Sequence, residues 1–466
     1  MKRQALSLLA LGGAMGLAAC GNILGLKDLE PYPNEGGTAE GGGDDGAEES
    51  TPDGPITGDG PSSGDAKDAM SGGDVRGEED QSTTGEGSVD APGDVTSMDS
   101  PPDTPVDTNP PPDSPGDTNP PPDSPTCTSP NTQCGTQCVD LTSDGGNCGR
   151  CGHDCLGGMC INSVCQPVEL LSGTTPFDIV VVKGGVAYWV DQASQAWSCV
   201  VGNCLGTDAP ILSGLAAPTR IAWDGNATVF WTNNGNGGAG SIEQYTIGSG
   251  AHTTLSPAGV TITAPQGIVA TTQYVFWTDT ASALAVRYDR TSGMGTKFAL
   301  GSGAVPAGMA LCAGGTRVCW TDEFTASGMM GNVTSIDVLS WTSPAVINGS
   351  QDQPWSITDN GTQQFWVNYD TAGAGGAVVS STGPTVASQD KPVRIVSDST
   401  AVFWTNQGSG TLNGSLMTAA PGLAPSSVKT LVPNLASPVG LAIDSTAVYY
   451  GVTGSNGTGL WMVARP

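Results

Sequence analysis

One short phrase returns seven times along the C-terminal part of this chain, and that return limits its fold more than any other feature. "VFWTN" stands at 229–233, "VFWTD" at 275–279, "VCWTD" at 318–322 and "VFWTN" again at 402–406. Aligned on the aromatic pair, the copies are Tyr188-Trp189, Phe230-Trp231, Phe276-Trp277, Cys319-Trp320, Phe365-Trp366, Phe403-Trp404 and Tyr449-Tyr450, at steps of 38 to 46 residues. Twelve to fourteen residues before the second member of each pair lies a proline: Pro176, Pro218, Pro265, Pro306, Pro354, Pro392 and Pro438. Three residues after each proline comes Ile, Met or Leu.

One unit, "RIAWDGNATVFWTNNGNGGAGSIEQYTIGSGAHTTLSP", reads as four short strands. Apolar and β-branched residues alternate in runs, and Asp, Gly, Asn and Pro punctuate the junctions. Four strands in about 43 residues is the arithmetic of a β-propeller blade, with the first strand at the axis and the fourth at the rim. No helix of any length is indicated. The last unit supplies three strands before Pro466, and "VELLSG" (168–173) offers the missing outer strand ahead of the first proline. The sequence therefore predicts an all-β, seven-bladed propeller over 168–466, closed by its N-terminal strand.

The phrases "FWTD" and "FWTN" resemble the YWTD repeat of low-density-lipoprotein-receptor type propellers, and the wider layout resembles bacterial secreted propeller proteins. The resemblance spans about 176–466 and implies that the aromatics pack between blades, with the acid or amide making structural hydrogen bonds. On that reading Trp189, Trp231, Trp277, Trp320, Trp366 and Trp404 are packing residues and give no support to carbohydrate stacking. The seventh copy departs most, with Tyr449, Tyr450 and Gly451.

Ahead of the repeats the texture changes. The chain has 45 acidic and 16 basic residues and a net charge of -29. More than half of the acids fall in residues 31–126, a stretch of Gly, Pro, Ser, Thr and Asp too polar to offset the entropy of ordering. It is expected to be a disordered linker, with proline repeats over 101–125 favouring extended polyproline II. Few cations and no basic stripe disfavour nucleic acid as a partner. The first residues, "MKRQALSLLALGGAMGLAAC", have the layout of a secretory signal. They resemble a bacterial lipoprotein signal peptide (1–19), which implies acylation of Cys20, a lipidated N-terminus over 20–30, and a monomer anchored in the cell envelope, here expected at the outer membrane.

Of 13 cysteines, Cys20 is assigned to lipid and twelve remain. Cys127, Cys134, Cys138, Cys148, Cys151, Cys155, Cys160 and Cys165 crowd a segment with almost no hydrophobic core, so four disulfides are expected, in a connectivity that sequence does not choose. Cys148, Cys151, His153 and Cys155 also have spacings that suit zinc; export favours oxidation, and no metal or other cofactor is assigned. The core "NCGRCGHDC" with "CGTQCVDL" resembles the Stig1 family module, which implies a disulfide-bonded extracellular unit over 127–165. Cys199 with Cys204, and Cys312 with Cys319, are expected as hairpin clips.

For function, the loops leading into each first strand and those after each second strand share one face of a propeller. The latter are Gly-rich, as in "NNGNGGAG" and "DEFTASGMMGNV". On that face Phe177, Asp178, Arg220, Phe324, Trp355 and Arg394 are candidate binding residues, the arginines for an anionic group and the aromatics for contact area. The propeller holds one histidine, His252, on an expected outer strand, and no motif for nucleophilic, metallopeptidase or phosphate chemistry, so no catalytic residue is named. The favoured reading is a non-catalytic, surface-displayed propeller for protein or glycan binding. The alternative is a tethered propeller hydrolase, lyase or lactonase, with Asp178, Asp279, Asp322 or Glu323 as carboxylates that would have to converge.

Overall fold

In the computed structural model, which describes residues 127–324, 330–369 and 375–466, every proline of the repeat is the first residue of a strand. Proline has no N–H for a ladder, so a strand's first position is where a sheet tolerates it. The expected signal peptide, Cys20 and the linker lie outside the described residues. The strands Pro176–Val182, Pro218–Trp223, Pro265–Ala270, Pro306–Cys312, Pro354–Asp359, Pro392–Ser397 and Pro438–Ile443 stand around a common axis, each beside its neighbours. Each opens a four-stranded antiparallel sheet, which makes seven blades. The fourth strand of blade 7 is Val168–Ser172, paired with Gly459–Ala464 through Leu171 opposite Leu460 and Glu169 opposite Trp461. Among the described residues helix is confined to Cys204–Thr207 and a 3-10 turn at Pro425–Ser427.

The aromatic pair builds the joints between blades. Side chains alternate across a strand, so the two members face opposite sides of their sheet. The first member points toward the next blade, whose second member points back: Phe230 shares a buried cluster with Trp277, Phe276 with Trp320, Phe365 with Trp404, and Phe403 with Tyr450. Tyr449 closes the circle against Trp189. One of the residues that follow the prolines by three (Ile179, Ile221, Ile268, Met309, Ile357, Ile395, Leu441) sits in each of the seven joints. Between blades 4 and 5 the aromatic is replaced by Cys319, whose disulfide to Cys312 packs against Trp366. These cysteines lie on adjacent strands but are not directly opposite: Cys312 pairs in register with Arg317, and Cys319 with Ala310.

The threonine of the phrase adds a polar stitch. Each first strand carries a bulge just after its proline. At blades 3 and 4 the bulge N–H groups of Gly267 and Gly308 donate to Thr278 and Thr321 at 2.8 and 2.9 Å. These hydroxyls in turn donate to the next blade, Thr278 to Ala307 O and Thr321 to Trp355 O, both at 3.1 Å, and Thr232 reaches Gln266 O at 3.0 Å. In blade 7 the threonine is replaced by Gly451, where a Cβ would stand 2.2 Å from the carbonyl oxygen of Pro176. The departure of the seventh copy is therefore a matter of space at the seam.

The cysteine-rich segment holds two short hairpins, Thr132–Cys134 with Gln137–Val139 and Cys160–Ile161 with Val164–Cys165. Its disulfides join Cys127 to Cys138, Cys134 to Cys151, Cys148 to Cys160 and Cys155 to Cys165. All eight thiols are thereby consumed, which leaves the zinc spacing without thiolates. Cys199 bonds to Cys204 on the short helix, a clip between strand and helical turn instead of between two strands. Ala464, at the end of the third strand of blade 7, packs into the cluster of Cys148, Cys155, Cys160 and Cys165. The ring nitrogens of His153 lie 2.6 Å from Cys148 O and 2.7 Å from Arg465 O.

Candidate functional site

The first strands enclose a cavity of about 350 Å³ on the propeller axis. It is lined by residues two to five positions after the prolines, whereas those directly after the prolines do not line it. Phe177, Ala307, Trp355, Val393 and Val439, all in that directly following position, belong to one buried apolar cluster drawn from blades 1, 4, 5, 6 and 7. They cap the axis on the proline face. At the other end Val180, Trp223, Val269, Leu311, Thr358, Asp359 and Val396 are partly exposed. The cavity is thus a funnel, closed toward the prolines and open toward the turns that join first and second strands.

Its floor is the layer two residues after the prolines: Asp178, Arg220, Gly267, Gly308, Ser356, Arg394 and Gly440. Arg394 Nε lies 3.3 Å from Asp178 Oδ1, and Arg394 Nη2 donates to Phe177 O at 3.2 Å, with the guanidinium 5.1 Å from the Phe177 ring. Asp178 Oδ2 accepts from Ile221 N–H at 3.1 Å. Burial pushes the Asp178 carboxyl up, against the pull of Arg394, and pushes the Arg394 guanidinium down. Among the described residues Arg220 has no carboxylate in an ion pair; its Nη1 makes a long contact of 3.4 Å to Thr219 O, and its buried Nη2 has no partner there. The Arg220 guanidinium sits 5.9 Å from the centroid of the Trp355 ring.

The structure places the six candidate binding residues in the floor of the funnel and in the cap beneath it. Phe177, Asp178, Arg220, Trp355 and Arg394 are all less than a tenth exposed. The reason is that the strands begin at the prolines themselves, so these residues lie inside strands and face the axis or the cap. Phe324 is partly buried against the capping cluster. The Gly-rich loops lie on the proline face, away from the funnel opening, and 325–329 and 370–374 fall outside the described residues. What sequence reasoning missed is that the layer below the cap carries the charges; the fixed offset of two from each proline was its only signal.

The remaining candidates do not converge. Asp279 accepts from Thr263 N, Thr263 Oγ1 and Ser282 N, a loop-holding role. His252, on the outer strand Ala251–Thr254, pairs with Glu243 at 3.0 Å and stacks on Trp231. Asp322 and Glu323, at the proline face of blade 4, are buried; desolvation raises them to about 7 and about 8. Among the described residues Asp322 Oδ1 and both oxygens of Glu323 have no partner.

The cysteine-rich segment docks on the funnel side. Ala464 is paired with Ala447, next to the turn between the first and second strands of blade 7, and the segment packs on that end of the blade. Leu156 also packs against the cluster holding Cys199 and Cys204.

No protein-family model and no curated protein matches this chain. Among solved structures, streptogramin B lyase is similar with a TM-score of 0.51 at 13% identity, covering 64% of this chain and 98% of that one. Virginiamycin B lyase from Staphylococcus aureus gives 0.51 at 14% identity, with 65% and 99% covered, and U3-55K gives 0.50 at 10% identity, with 64% and 98% covered. At these identities the likeness establishes the propeller fold alone.

Proposed function

We propose that this chain is an exported, lipid-anchored envelope protein that displays a non-catalytic propeller, and that the propeller binds its ligand in the axial funnel. The observation that carries this reading is the floor: one arginine is neutralised by Asp178, while Arg220 keeps a buried nitrogen with no partner among the described residues, below a wall that is aliphatic in its middle and carries Trp223, Thr358 and Asp359 toward the opening. Sites of this kind are concave, mostly apolar and fitted with few polar groups. The funnel volume suits a small molecule, or the end group of a glycan or protein. The lipoprotein-like signal and the Stig1-like module supply the address: acylated Cys20, then the linker, then the stapled segment.

The test uses the full chain. Purified protein is equilibrated with an extract of the medium, washed, and its retained compounds are identified by mass spectrometry, alongside Val269→Trp, which fills the funnel wall. Retention by the wild type and loss in the variant are expected; equal retention by both overturns the funnel as binding site. Mass spectrometry of the N-terminal peptide, with Cys20→Ser as control, tests the anchor.

A second reading, a tethered propeller hydrolase, lyase or lactonase, is favoured by Asp322 and Glu323, since buried carboxyls titrating near neutrality are suited to proton transfer. Turnover of a lactone or polysaccharide that is lost in Glu323→Gln would establish it.

A further inference from the structure

We infer that the funnel takes a compact amphipathic monocarboxylate, its head group on Arg220 and its hydrocarbon body along the wall. This rests on the reading of the funnel as the binding element and adds the chemistry of the occupant.

The floor layer carries Asp178, Arg220 and Arg394, a net charge of one positive unit, and the other carboxylate lining the cavity, Asp359, stands three residues further along its strand at the open end. A buried cation without a counter-charge is unfavourable, and a single anion restores neutrality. Arg220 is 6% exposed, lines the cavity, and has an Nη2 without an acceptor among the described residues. Its guanidinium carbon sits 5.9 Å from the Trp355 ring centroid, and its Nη1 makes only the long contact to Thr219 O. A guanidinium is a planar fork, the geometry that matches two oxygens of a carboxylate.

The wall decides between anions. Above the floor it is formed by Val180, Val269, Leu311, Ile357, Val396 and Leu441, with Trp223, Thr358 and Asp359 at the open end, where the Asp359 carboxylate is held by Gly361 N–H and Gln364 Nε2. Inorganic phosphate or sulfate gains nothing from aliphatic surroundings and loses hydration there. A carboxylate that carries a hydrocarbon chain gains at both ends, from the charge-assisted bond and from burial of its methylenes.

The test is calorimetric titration of the full chain with octanoate, octanol, octylamine and inorganic phosphate, on the wild type, Arg220→Met, Arg220→Lys and Val269→Trp. Octanoate is expected to bind the wild type at least about tenfold more tightly than octanol, as for one charge-assisted bond. Octylamine and phosphate should not bind. Arg220→Met should lose this preference while keeping octanol binding, and should melt no lower than wild type because it removes an uncompensated buried charge. Arg220→Lys keeps the charge but not the fork and should fall between. If octanoate and octanol bind equally, if Arg220→Met keeps the preference, or if phosphate binds more tightly than octanoate, the inference is overturned. Octanol binding that Val269→Trp abolishes leaves the funnel reading standing in those cases. Binding of neither eight-carbon ligand overturns the inference, and the retained-compound experiment then judges the funnel on its own.

Discussion

Arg394 in blade 6 reaches Asp178 in blade 1 at 3.3 Å, past blade 7, whose residue in the same layer is Gly440. A Cβ on Gly440 would stand 2.9 Å from Pro176 O and 3.0 Å from the Ile179 side chain, so blade 7 contributes bare backbone there and the ion pair spans it. The pair is a cross-link over the seam where the ring closes.

Removing one partner leaves the other charge buried. Asp178→Asn should therefore cost about 3 kcal/mol or more, whereas a double change to Asp178→Leu with Arg394→Met should come out near neutral. Urea denaturation of the three proteins checks this; equal losses in the single and double variants would refute the cross-link.

Asp322 and Glu323 set a pH dependence. Their folded values, about 7 and about 8, stand above the ordinary 3.8 and 4.5, so the folded state holds protons that the unfolded chain releases. Stability from these groups is complete below about pH 4 and falls as pH rises toward 8, by about 1.4 kcal/mol per pH unit for each group within its window. Glu323→Gln should flatten the part of the slope between about 4.5 and 8 and raise the melting temperature at pH 8. Thermal melts at pH 5 and pH 8 read both effects.

The hydroxyl stitch between blades is testable at Thr278. Valine keeps the shape but removes the acceptor for Gly267 N–H and the donor to Ala307 O, and should cost about 1–3 kcal/mol. Val190 and Val367, which stand in the equivalent place in blades 1 and 5, are natural precedents for an apolar residue there. A Thr278→Val protein with unchanged denaturant midpoint would remove the stitch from the stability account.

Cys319 occupies the place of a phenylalanine. Cys319→Ala should lose about 3 kcal/mol, through the lost bridge and a void beside Trp366. Cys312→Ala combined with Cys319→Phe refills the joint as the other copies do and should come within about 1 kcal/mol of wild type. Denaturation without reductant ranks the three proteins, and adding reductant should change only the wild type at this joint.

The blade count and the closing strand were legible because both rest on spacing: Pro438, Tyr450 and the short last unit leave one strand owing, and 168–173 has the right pattern. Packing of Trp277 between sheets was legible through the resemblance of its phrase to the YWTD repeat. The funnel was not. Whether Arg220 or Phe177 faces solvent depends on where the strand begins and on the bulge after Pro218 and Pro176, which shift side chains by one position without leaving a compositional mark. Thr278 was passed over because a threonine in a strand looks ordinary until its second partner, on the next blade, is placed. The pairing of Cys134 with Cys151 was invisible because eight cysteines in a coreless segment carry no hydrophobic pattern to order them.

The grip of the cysteine-rich segment on blade 7 has a mechanical meaning. Any pull arriving at Cys127 must pass through the stapled segment into Val168, the first residue of the strand that completes the ring. Were that the sole connection, the load would peel Val168–Ser172 from Gly459–Ala464 one hydrogen bond at a time. The segment also holds the neighbouring strand, through Ala464 in its disulfide cluster and through His153 at Arg465 O. Arg465 in turn is fixed to Asp398 of blade 6 at 2.6 Å and to Asp444 O of blade 7. Tension is therefore shared by both sides of the seam and spread into a second blade, so the two strands are drawn together in the same direction and the ring bears force without unzipping.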